Sequence, residues 1–124
     1  MFKGFVLSES LKNPMVLNDF ETIKVVIENH PECEGGPKIW HDFKLKVDDD
    51  KIIDVCNKIS REMKETWYAH FWNRDIVYVV LSDKVFKMPR EEGNWQSSEY
   101  QECKKYAIEH GIEEQYLLDF LIED

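Results

Sequence analysis

Tyr68, His70 and Trp72 alternate along a segment rich in strand formers, so their side chains share one face of a strand. Aromatic rings around one imidazole combine a large apolar area, directional hydrogen bonds and a group that exchanges a proton near neutral pH. Such a face suits a subunit interface, a small-molecule pocket or a second core layer, because apolar surface has to be covered. In an enzyme, His70 would be the acid–base group and Tyr68 a hydrogen-bond donor in a sheet-floored pocket. These three residues are the candidate ligand- or partner-binding site.

A second set is His30-x-x-Cys33 with His41, whose imidazoles and thiolate are the ligand types of zinc. A protein zinc site needs three or four such ligands, and only His30 and Cys33 are close together. Turn chemistry already accounts for Pro31, Gly35, Gly36 and Pro37. No metal ligand and no cofactor is therefore assigned. Cys103 and His110 share a helix face but stand about 10 Å apart along the axis, too far for a nucleophile–base pair. Cys33 has Glu32 and Glu34 as neighbours, which disfavour a thiolate. His41 and Asp42 are adjacent on a strand and point to opposite faces.

The remaining patterns are negative. Asp48, Asp49 and Asp50 lack the glycine and distal glutamate of an EF-hand loop. They read as caps for a helix whose positive dipole end they meet. No GxGxxG or Walker motif supplies a phosphate cradle, and no GxSxG supplies a hydrolase elbow. No catalytic residue is assigned.

One domain, residues 1–124, has to position these side chains. With 43% hydrophobic and 33% charged residues, the chain is neither disordered nor collagenous. The net charge is −9, and residues 91–124, with 2 basic and 10 acidic side chains, hold −8 of it. An acidic surface repels phosphate backbones, so no nucleic-acid partner is expected. No apolar run spans a membrane, and no secretory leader is evident at the N-terminus. The three cysteines are an odd count without CxxC spacing, as in reduced cytoplasmic proteins.

The elements follow from periodicity. Strands are expected at Phe2 to Leu7, Thr22 to Asn29 and Ile39 to Val47. Ile23, Val25 and Ile27, and then Phe43, Leu45 and Val47, face the core, while Asp42, Lys44 and Lys46 face water. A helix runs from Asp48 to about Glu65, with Ile52, Ile53, Cys56, Ile59 and Met63 as its apolar stripe. Trp67 to Trp72 and Ile76 to Leu81 form a hairpin apolar on both faces, closed by an Asn73–Arg74 turn that sets Phe71 opposite Ile76. Val85 to Met88 is the last strand, ended by Pro89. Ser97 or Ser98 caps a second helix that buries Tyr100, Cys103, Tyr106 and Ala107 and stops at Gly111. Leu117, Leu118, Phe120, Leu121 and Ile122 dock the tail on the body. The fold class is α+β, a mainly antiparallel sheet of about six strands with two principal helices.

Trp67-Tyr68-Ala69-His70-Phe71-Trp72-Asn73, Ile76 to Val80 and Lys84-Val85-Phe86 resemble a group of short prokaryotic hypothetical proteins. Gly4 to Ser10 and Glu109 to Ile112 extend the resemblance over most of the length. It implies a cytosolic single-domain protein and carries over no functional residue. The expected function is a small cytoplasmic binding or interaction module, homodimeric through the Tyr68, His70 and Trp72 face. The alternative is a small-molecule enzyme using His70 with Tyr68.

Overall fold

The computed structural model describes residues 1–90, 96–113, 116 and 122–124. The alternating and β-branched runs become β1 (Phe2–Leu7), β2 (Glu21–Asn29), β3 (Ile39–Val47), β4 (Ala69–Trp72), β5 (Ile76–Leu81) and β6 (Lys84–Pro89). They form one sheet in the order β2-β3-β1-β4-β5-β6, with every neighbouring pair antiparallel. The helices α1 (Ile52–Glu62) and α2 (Ser98–Glu109) complete an α+β fold. No helix among the described residues is long and apolar enough to cross a membrane.

The first strand lies inside the sheet, between β3 and β4. This position places Gly4 where the Phe71 ring crosses the backbone. A Cβ built on Gly4 would overlap that ring and lie 2.7 Å from the His70 carbonyl oxygen. Only a residue without a side chain permits that approach.

The two helices cover opposite faces. On one face Ile52, Val55, Cys56 and Ile59 of α1, with Met63 just past its end, pack with Val6, Leu45, Phe71 and Val80. Ile53, expected in that stripe, is 63% exposed. It lies roughly a quarter-turn from the stripe's centre, and Val55 occupies the far flank instead. A 3₁₀ turn, Asp49–Lys51, precedes the helix, and neither Asp48 nor Lys51 makes a side-chain capping bond. The expected capping by the aspartates is thus reduced to charge near the helix start.

On the other face Cys103 and Ala107 of α2 pack with Val77, Val79, Leu81 and Trp72, flanked by Tyr100 and Tyr106. Ser97 Oγ accepts from Tyr100 N at 3.1 Å, the expected N-cap. Gly111 takes φ +88° past the helix end, a conformation that glycine adopts without Cβ strain.

Two expectations need correction. Ile23, Val25 and Ile27 do not reach the core, and Ile27 is 68% exposed. Alternation assigns side chains to a face, but β2 is an edge strand beyond the reach of α1. The β4–β5 turn is also longer than two residues, because Asn73 Oδ1 accepts from both Asp75 N and Ile76 N at 2.8 Å. Phe71 therefore opposes Tyr78 rather than Ile76. A shift of two positions preserves the face of every side chain, so the two-sided apolar hairpin stands. Of the expected tail contacts, those of Leu117, Leu118, Phe120 and Leu121 lie outside the described residues.

Candidate functional site

The α2 side of the sheet is not covered uniformly. α2 packs over β5 and β6, and beside it a cavity of about 620 Å³ opens over β1, β3 and β4. Its floor is made by Phe5 and Leu7 of β1, Trp40 and Asp42 of β3, and His70 of β4. Register explains the grouping: Leu7 pairs with Asp42 and Phe5 pairs with both Lys44 and His70, so these side chains share a face. Loop residues His30 to Glu34 form one wall, and Gly111, Ile112, Glu113 and Tyr116 form another.

Two of the three sequence-derived residues line this cavity, Tyr68 and His70. Tyr68 Oη donates to the Tyr116 carbonyl at 2.5 Å, tying the wall beyond α2 to the floor. His70 is 7% exposed and packs against the rings of Phe5 and Trp72, with centroids at 6.0 and 5.4 Å. Trp72 stands apart from the cavity. It is 1% exposed, and its Nε1 donates to Asp124 Oδ1 at 3.0 Å. The surface through which Trp72 would meet a second chain is therefore occupied within one chain.

His30, Cys33 and His41 do not converge. His41 lies on the opposite sheet face, where Glu9 accepts from its backbone N at 2.6 Å and contacts its Nδ1 at 2.9 Å. Among the described residues no group of three or more His, Cys, Asp or Glu side chains is arranged to hold a metal. Cys103 is fully buried, and His110 Nδ1 is bonded to the Tyr106 carbonyl, so these two form no pair.

The constellation absent from the sequence reading is Asp42, Glu28, His30 and Glu32. His30 stacks on Trp40 with centroids 3.6 Å apart. Its Nε2 lies 2.7 Å from Glu28 Oε1 and its Nδ1 lies 2.8 Å from Glu32 Oε1. Partial burial lowers the pKa of His30, but the hydrogen bonds its ring donates to Glu28 and Glu32 outweigh this and raise it overall. Asp42 is pushed up to about 7, first by burial and then by a hydrogen bond and charge repulsion from Glu28, with Glu9 adding to the repulsion. One oxygen, Asp42 Oδ1, is buried with no hydrogen-bond partner among the described residues.

Asp42 thus lies beside Glu28 at the cavity, and His30 links Glu28 to Glu32 further out. A carboxyl poised near neutrality is a general acid–base group. The period-two spacing Glu28-x-His30-x-Glu32 was a readable signal for it. Alternation along the strand turns Asp42 toward water, yet on that face even Lys44 is only 6% exposed. The residues after α2 roof it: Lys44 Nζ donates to the Glu123 carbonyl and Oε1 at 2.8 and 3.0 Å.

No family model, curated protein or solved structure matches this chain.

Proposed function

We propose that this protein is a small-molecule-binding domain whose ligand occupies the sheet-floored cavity over Tyr68 and His70. The observation that carries this reading is the cavity itself. Its volume, about 620 Å³, suits a small organic ligand, and its walls are aromatic with a few convergent polar groups. A homodimer through the same face would require releasing Trp72 from Asp124, whereas ligand entry requires no such change. The test is a fragment screen by protein NMR on the full chain. Fragments are expected to shift resonances of Trp67, Tyr68 and His70; shifts confined to other surfaces would sink the proposal.

A second reading, an enzyme acting on that ligand, is favoured by the Asp42–Glu28 carboxyl pair. Tyr68, whose hydroxyl is committed to the Tyr116 carbonyl, serves here in positioning, and the acid–base role passes to Asp42. A turnover screen should then give a pH profile with an inflection near 7 that Asp42→Asn removes.

A further inference from the structure

We propose that the cavity recognises a ligand bearing a protonated amine, held by the carboxylates of Asp42 and Glu28 within aromatic walls. This rests on the small-molecule reading above and narrows it to one charge class. The polar lining is predominantly acidic, with His30 held between Glu28 and Glu32. Glu28, Glu32, Glu34, Asp42 and Glu113 line the cavity, and no Lys or Arg does among the described residues. The nearby lysines have partners of their own: Lys44 bonds Glu123, and Lys38 Nζ, outside the lining, bonds the carbonyls of Pro31 and Cys33 at 3.2 and 2.8 Å.

Adjacent carboxylates in a poorly solvated place repel each other unless a proton or a cation lies between them. His30 contacts Glu28 Oε1, which leaves Asp42 Oδ1 buried without a donor among the described residues. An ammonium group brings a positive charge and several N–H donors, so it can satisfy both carboxylates at once. An anionic ligand would be repelled by these carboxylates, and a neutral one would bring Asp42 no compensating charge. A bare metal ion is poorly served, since hard cations take six or more oxygen ligands and no metal-holding group of three occurs among the described residues. Trp40, Trp67 and Tyr116 further favour an organic cation, because ring faces attract positive charge and ring edges pack against its carbon skeleton.

The test compares three probes of similar shape on the full chain near pH 8: 2-phenylethylamine, 2-phenylethanol and 3-phenylpropanoate. Affinity is read from NMR shifts of the cavity residues. The amine should bind at least about tenfold more tightly than the alcohol, and the carboxylate most weakly. Asp42→Asn, with Glu28→Gln as a second variant, should abolish the preference for amine over alcohol while thermal melting shows both variants folded. Equal binding of amine and alcohol in the cavity overturns the amine assignment and leaves the small-molecule reading standing. A preference for the carboxylate overturns it as well. An amine preference that survives both substitutions overturns the role of Asp42 and Glu28. Absence of cavity shifts with all three probes at millimolar concentration overturns both this inference and the reading beneath it.

Discussion

Trp72 Nε1 donates to Asp124 Oδ1 at 3.0 Å, so the end of β4 is fastened to a residue more than fifty positions further along the chain. Arg90 grips the same carboxylate, its Nη2 lying 2.7 Å from Asp124 Oδ2. Together with the Lys44–Glu123 contact, this holds residues 122–124 over the half of the sheet that α2 leaves open.

Hydrogen bonds from Arg90 and then Trp72 hold Asp124 below its ordinary value of 3.8. A depressed carboxylate stabilises the folded arrangement above that value and loses this as pH falls through the lower, folded-state pKa. Asp124→Ala should speed hydrogen exchange of the Trp72 indole N–H about tenfold at neutral pH. The unmodified protein should approach the same rate only below about pH 3.8. Unchanged exchange in the variant would mean that the contact does not persist in solution.

Asp42 has the opposite sign. Its folded-state pKa is raised from 3.8 to about 7, so folding favours the protonated form. The contribution is fully present below pH 3.8 and lost as pH rises through about 7. Asp42→Asn should therefore stabilise the protein by on the order of 1–3 kcal/mol at pH 8 and by little at pH 4. Chemical denaturation at the two pH values decides the matter, and equal effects at both would remove the linkage.

Gly4 has no room for a methyl group beneath the Phe71 ring. Gly4→Ala should cost about 2–3 kcal/mol, as overpacking of a well-filled interior does. Gly4→Ala combined with Phe71→Leu should recover part of that loss, because the two sites share the contact. Melting of both variants gives the comparison.

Burial pushes the thiols of Cys56 and Cys103 up to about 12, and both side chains are enclosed by the core. Cys33, in the loop beside the cavity, is partly exposed. An aromatic disulfide reagent should titrate one thiol in the native protein and three after unfolding. Native titration of more than one would show that a helix opens.

The two apolar sets should respond differently to truncation. Ile59 is fully buried, and Ile59→Ala should cost about 3 kcal/mol. Ile27 lies exposed on the edge strand, and Ile27→Thr should stay within about 0.5 kcal/mol. A large loss at Ile27 would indicate that β2 is covered in solution.

Local chemistry in the sequence was enough to determine most of the elements and the face each side chain takes. Period-two alternation depends only on neighbouring residues, so Phe71 and Trp72 take opposite faces whatever the length of the turn between β4 and β5. The Ser97 cap and the Gly111 stop are likewise local features of the chain. Tyr68 and His70 were recognisable as candidates for the same reason.

What covers each face was decided only by the tertiary structure, because coverage depends on strand order and on segments far apart in sequence. Placing β2 at the edge exposed Ile27, while Glu123, far along the chain, holds the buried Lys44. The pairing of β2 with β3 then brought Glu28 against Asp42, two like charges that no local pattern requires to meet. The raised pKa of Asp42 arises in part from that long-range juxtaposition, since desolvation and repulsion act through space rather than along the chain.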